Sequence, residues 1–447
     1  MATVSRNIPE RPHLDVPKRE ARALLKKWKT GVPEALDRIQ NRHPKFRKAD
    51  HASIAAAKFL LNDAQLVIAR EYGLSTWTEL KERFRANTAV GLLLDAIRKD
   101  DRETTVSLLK ANPTLLHIPL WSGNWGPPMS HAANLGRLEI IKAVSALGAR
   151  DHQHAFDRAL LQGRLECARW LFEHGAKLAP GIIMGSCETL KASGLGLLVE
   201  LGASFTDGKG DRLAPLALVL ETYCRNPDGK HAVLEIFSKQ GYAMPDTPIM
   251  ALHRGDLTRL EEFLRRDPTL IHRRFSLAEI YPPELGCAKD GRSGMHWTPI
   301  NGTTLLHIAV DFDDEKVFEL LLANGADVNA KANVDADGFG GHTPIYNAVV
   351  SHGRYQASMA RRLLERGASV DVHVSIRKFL DWCDEPKWHE ARNVTPAEWG
   401  KTFADQGWVN KEAVRLVEER LQQVLKSRYG LVESQHGSPG IDTTPAG

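Results

Sequence analysis

The stretch Thr304–Ala330, TLLHIAVDFDDEKVFELLLANGADVNA, decides how this chain folds. A threonine opens it, followed by an apolar pair, His307 and the small Ala309. Val317, Leu320 and Leu321 then form an apolar stripe at helical spacing. Gly325 follows, a residue that takes the left-handed conformation at a helix end without Cβ strain. The stretch therefore predicts two short helices: the small residues of the first let a neighbour approach, and the stripe of the second needs one to cover it.

Working outward, the pattern returns. Thr343–Val372, TPIYNAVVSHGRYQASMARRLLERGASVDV, repeats it, with Thr343-Pro344 and Gly367-Ala368 at equivalent places and Tyr346 where the first unit has His307. Weaker copies begin at Pro127 and His154 and end in Gly148-Ala149 and Gly175-Ala176. Degraded ones begin near Leu92, Gly181 (closing at Gly202), Ala214 and Thr247, and a closing copy begins at Val394. The unit resembles the ankyrin repeat, whose signature is T-P-L-H-x-A followed by a second helix and G-A-D; the resemblance covers residues 92–420. It implies an all-α, ankyrin-repeat α-solenoid of about nine units, because a single unit leaves its apolar stripe wet. It also implies a structural role for His307, hydrogen bonding within and between units.

Residues 1–90 read differently, as an N-terminal basic helical domain capping the array. PKREARALLKKWKTG predicts a basic amphipathic helix from Pro17 to Gly31, and residues 51–84 predict two or three more helices. Asp63–Leu80 resembles a segment found ahead of ankyrin arrays in some bacterial proteins, which implies a bacterial source. This head holds 18 Lys and Arg against 10 Asp and Glu, so it carries +8 of a total of +4 and the rest carries −4. Lys18, Arg19, Arg22, Lys26, Lys27 and Lys29 could contact phosphates. Ala69, Gly73 and Leu74 have helix-turn-helix spacing, but Glu79 and Glu82 stand where that motif wants apolar groups and would repel phosphate. The composition thus argues against a nucleic-acid partner. Residues 91–275 read as degenerate repeats, 276–426 as repeats with enlarged loops and a C-terminal cap, and 427–447 as a disordered tail poor in apolar residues.

Unit lengths carry the functional signal. Starts are separated by 35, 27, 27, 33, 33, 57, 39 and 52 residues, so the trimmed units lie early and the enlarged ones late. Three enlargements follow one another, at 275–302, 331–342 and 372–393. Loops of successive ankyrin units lie along one edge beside the concave face, so these would form one composite surface, and long loops on a rigid scaffold are where binding residues concentrate. Trp297, Phe339, Tyr346, Trp382 and Trp388 are the expected anchors, with His296, Asp335, Asp337 and His342 as polar specifiers. The competing reading is that such aromatics fold back and pack the loops onto the array.

Other chemistry finds less support. Asp335-Ala-Asp337-Gly338 opens like a calcium loop, but Phe339 and Tyr346 replace ligands, leaving a tight hairpin as the reading. Gly340-Gly341 has no following Lys-Ser/Thr and is no phosphate loop. Cys287, His296, His307 and Asp311 are candidate nucleophile, bases or ligands, yet no H-E-x-x-H, G-x-S-x-G or Walker pattern accompanies them. The five cysteines are widely spaced without a CxxC, which fits a reducing compartment. No secretory signal and no membrane-spanning run is visible. The expectation is a cytoplasmic scaffold that binds a protein partner, with no cofactor, no metal and no membrane association. The alternatives are a small-molecule, metal or catalytic site in the 275–393 loops, and nucleic-acid association through the basic head.

Overall fold

The structure, a computed structural model, describes residues 14–86, 88–120, 124–288, 298–350, 357–380, 387–403 and 408–429. The chain divides at Lys177/Leu178 into two compact units.

The first unit begins with five helices: α1 (Asp15–Lys29), α2 (Pro33–Arg42), α3 (His51–Ala56), α4 (Leu61–Glu71) and α5 (Trp77–Ala86). They enclose a core of their own, built on Leu24, Ile39, Phe46, Ile54, Val67, Ile68, Leu80 and Phe84. Polar ties cross it. Trp28 Nε1 donates to Ile54 O at 3.0 Å, and Arg38 grips Glu71 with two bonds of 2.7 and 2.9 Å. The helix-turn-helix spacing has a packing explanation: Ala69 is buried, and Leu74 folds back so that its N–H donates to Ala69 O.

Three helix pairs complete this unit: α6 (Ala89–Arg98) with α7 (Arg102–Ala111), α8 (Pro128–Leu135) with α9 (Leu138–Ala146), and α10 (His152–Gln162) with α11 (Leu165–Glu173). First helices stack on first helices and second on second, through Ala132, Ala133, Ala155 and Ala159 on one side and Ile140, Ile141, Val144 and Leu171 on the other. A polar clasp joins α8 to α10. Ser130 Oγ donates to Asp151 at 2.5 Å and accepts from His154 Nδ1 at 2.9 Å.

Among the described residues the second unit holds six further pairs: α12 (Met184–Glu188) and α13 (Ala192–Glu200), α14 (Leu213–Glu221) and α15 (Pro227–Lys239), and α16 (Pro248–Arg254) and α17 (Leu257–Arg266). After a short helix α18 (Leu277–Ile280) come α19 (Leu305–Phe312) and α20 (Glu315–Ala323), α21 (Pro344–Ala348) and α22 (Ser358–Glu365), and α23 (Pro396–Lys401) and α24 (Lys411–Tyr429). Each of the nine starts read from the sequence meets the first helix of a pair, and the five glycines expected to close second helices all have positive φ, from +81° to +111°. The array is helical as expected, with one addition. An antiparallel hairpin of β1 (Val374–Leu380) and β2 (Lys387–Val394) occupies the third enlargement. At the other end, α24 continues to Tyr429, past the expected start of the tail at 427, and residues 430–447 lie outside the described residues.

Several imidazoles are sealed in these stacks. His131 is buried against Trp125 with neither ring nitrogen hydrogen-bonded, and burial pulls its pKa down to about 4. Its ordinary value is near 6.5, so the folded state binds fewer protons than the unfolded one. The stability it permits is complete above about pH 6.5 and is lost as pH falls towards 4, by roughly 3 kcal/mol. His131→Leu is expected to keep or raise stability at pH 7 and to flatten this acid limb. Denaturant midpoints measured between pH 7 and pH 4 check this, and an unchanged limb would contradict it.

Candidate functional site

The three enlargements stand on a buried chain of hydrogen bonds. Thr304 donates from both its amide and its hydroxyl to His307 Nδ1, and the opposite nitrogen of His307 donates to His342 O at 3.1 Å. His342 Nε2 in turn donates to Pro299 O at 2.8 Å. Alongside, Trp399 Nε1 donates to Thr298 Oγ1, which donates to Tyr346 O, both at 3.0 Å. The Tyr346 hydroxyl shares its proton between Val372 O at 2.7 Å and Val394 O at 2.9 Å, the two feet of the β1–β2 hairpin. Pro299, His342 and Val372 each belong to a different enlargement. Two polar chains, running side by side, therefore tie the three enlargements together in a region that excludes water.

This placement corrects two expectations. His342 and Tyr346 are fully enclosed, so they are supports of the loop edge and not members of an exposed contact surface. Burial lowers His342 to about 4 and His307 to about 3, and it raises the Tyr346 phenol, so all three are neutral at pH 7. His307 makes the bonds within and between units that the family resemblance implies.

The second enlargement is a tight hairpin bridged at Val334 and Gly340. Asp335 Oδ1 accepts from the amides of Asp337 and Phe339 at 3.0 and 2.9 Å, which is the turn chemistry expected of Asp-x-Asp-Gly. Gly340 has φ +129°, and a Cβ there would lie 2.0 Å from Asn333 O, so only glycine closes this turn. Its amide donates to Ser375 O at 2.7 Å, which joins the hairpin to β1.

Across that seam stands Arg377, a residue the sequence reading passed over. Its guanidinium lies 2.9 Å from Asp335, 2.7 Å from Asp337 and 3.7 Å from Glu390. It also stacks over Phe339 at 4.5 Å and Trp388 at 5.0 Å, while Arg392 covers Phe339 from another side at 4.3 Å. Four expected site residues, Asp335, Asp337, Phe339 and Trp388, thus converge on one arginine. The hydrogen bond to Asp337 leads in raising the Arg377 pKa. Partial burial pushes the Asp335 carboxyl up, but bonds from Phe339 N–H and Arg377 outweigh it and hold the carboxyl below its usual value. Phe339 is buried beneath the two arginines, so it props the surface from below. Trp388 is 50% exposed and Val334 60%. Beside them opens a cleft of about 370 Å³, walled by Arg274, Glu279, Asn333, Asp335, Phe339 and Arg377. His296, Trp297 and Trp382 lie outside the described residues.

Part of the first enlargement folds back, as the competing reading held. A capping box of Ser276 and Glu279 starts α18, Tyr281, Leu285 and Cys287 are buried, and the Ala288 amide donates to Glu221 at 3.2 Å. The candidate chemical groups are committed elsewhere. Burial pushes the Cys287 thiol up to about 12, far from a reactive thiolate. Asp311 pairs with Arg225 at 2.8 Å in a buried cluster that also holds Lys230, whose amine donates to Leu220 O, lies 3.6 Å from the centre of the Phe312 ring and is held well below its usual pKa by burial. The void beside it is about 10 Å³, room for one water and not a substrate. Among the described residues, no three His, Cys, Asp or Glu side chains are grouped to hold a metal ion.

Residues 301–333 match the family model described as Ankyrin repeat, so this stretch is an ankyrin repeat, a module that generally binds proteins. Among solved structures the chain is similar to the crystal structure of the human ASB11 ankyrin repeat domain, with 19% identity, 54% of this chain and 98% of that chain covered, and a TM-score of 0.26. A search of the curated proteins finds no match.

Arg377→Lys tests the convergence. A lysine cannot bridge two carboxylates and stack on two rings at once. The variant is expected to lose about 1 kcal/mol, more at low salt than at high salt, in chemical denaturation. A variant indistinguishable from the parent would remove Arg377 from the centre of the site.

Proposed function

We propose that this chain is a protein-binding scaffold whose partner docks on the edge formed by the enlarged loops of residues 275–393. The observation that carries the reading is the half-exposed Trp388, stacked under Arg377 on the hairpin that the Tyr346 contacts brace, together with the exposed Val334, which with Arg377 lines the 370 Å³ cleft. Large apolar side chains left in water on a rigid frame bury area on binding at little entropic cost. Asp335, Asp337 and Glu390 ring this spot and supply polar selectivity. By their positions in the same enlargements, His296, Trp297 and Trp382 belong to the proposed surface, while Phe339 supports it from beneath.

Among the described residues, no helix is long and apolar enough to cross a membrane. The wide cysteine spacing supports a cytoplasmic setting, and the resemblance of Asp63–Leu80 supports a bacterial source. The enclosed state of Cys287, His307 and Asp311 favours contact over catalysis.

The test is quantitative capture of partners from native cytosol by the full chain and by Trp388→Ala/Val334→Asp. Captured proteins are expected to fall at least tenfold, with the melting temperature unchanged, whereas Lys18→Gln on α1 retains them. Equal capture by the double variant would refute this surface.

A further inference from the structure

Between α2 and α4 the first unit opens a second cleft, of about 290 Å³, that the scaffold reading does not use. Its wall holds Arg42 from the last turn of α2, Arg47 after the Pro44–Phe46 turn and Arg70 from the last turn of α4, with Asn41 and the Gly73–Ser75 backbone completing it. No carboxylate lines it. Three guanidiniums with like charge repel one another, and nothing in the packing of α2 on α4 requires an arginine at all three places.

Arg42 Nη1 donates to Arg70 O at 3.2 Å, a bond that satisfies the end of α4 and sets this guanidinium at the cleft. Arg70 Nε is buried and has no hydrogen-bond partner. Among the described residues, neither Arg47 nor Arg70 pairs with a carboxylate. Acids of the neighbouring segments are engaged: Glu71 is gripped by Arg38, Glu79 accepts from Ser75 N at 2.8 Å, and Asp63 lies 3.4 Å from His43.

We propose that this cleft binds the phosphate group of a small phosphate monoester. A monoester carries close to two negative charges at neutral pH and three oxygens that match forked guanidinium donors. A polynucleotide fits less well. The adjoining cleft, which shares Asn41 and Arg42, sets Glu20, Glu34, Asp37 and Glu71 against Lys27 and Arg38, so its four carboxylates would meet the next phosphates of an extended polyanion.

The test titrates the full chain with inorganic phosphate and with phenyl phosphate at constant ionic strength, by calorimetry and by shift of the melting temperature against chloride. Saturable binding of both is expected. Arg47→Gln, on an exposed side chain, and Arg70→Gln are each expected to weaken it at least tenfold, while Lys18→Gln leaves it unchanged. Arg47→Gln should retain the melting temperature of the parent in chloride, so its loss of binding reports the site and not unfolding. Absence of a phosphate-specific effect, or binding indifferent to both substitutions, overturns the proposal. A short single-stranded oligonucleotide that binds more tightly than phenyl phosphate, with loss in Arg47→Gln, overturns it in favour of a nucleic-acid surface.

Discussion

The loop edge depends on hydrogen bonds that water cannot reach. From Thr304 through His307 and His342 to Pro299, and from Trp399 through Thr298 to Tyr346 and the hairpin feet, each donor has a protein acceptor. A buried polar group stripped of its partner costs about 1–3 kcal/mol, so such a chain tolerates few alternative arrangements. Helix packing alone positions helices; it does not dictate where a long connection between them lies. Here the connections are tied at their bases by side chains that point inward from the first helices of successive pairs.

That constraint explains why the enlarged connections carry a surface. Once the feet of the 331–342 and 372–394 segments are fixed, the Gly340–Ser375 bond closes the seam between them. Arg377 then lies between carboxylates and rings supplied by both segments. The ion pairs involved are partly exposed and individually weak. Their effect is orientation: they hold the Arg377 guanidinium against Trp388, which stays half-exposed.

Much of this was legible in the sequence, for definite reasons. Thr304, Ala309 and Gly325 mark a helix pair because capping, close approach and left-handed closure admit few residue types, and the same marks located all nine pairs. Asp335, Asp337, Phe339 and Trp388 were singled out from aromatic and acidic content in consecutive enlargements, a signal that does not tell a buried ring such as Phe339 from an exposed one such as Trp388. His342 and Tyr346 were misassigned although a signal existed: Tyr346 stands where the repeat has its histidine, and it does the equivalent structural job through its hydroxyl. The β1–β2 hairpin was not legible because its inward-facing positions include Lys378 and His389, which break the alternation of apolar residues. Arg377 drew no notice because one arginine among many carries no local pattern, and its importance comes from partners up to 42 residues distant. Helix α2 was overlooked because it is short and its polar face dominates its composition.

The central claim is that the buried chain, and not the hairpin's own strand pairing, sets the edge in place. Hydrogen–deuterium exchange of Tyr346→Phe tests it directly, since that change deletes one hydroxyl and keeps the ring. Amides of residues 374–380 and 387–394 should exchange much faster than in the parent chain while those of α19 and α20 stay protected. Unchanged protection across the hairpin would contradict the account.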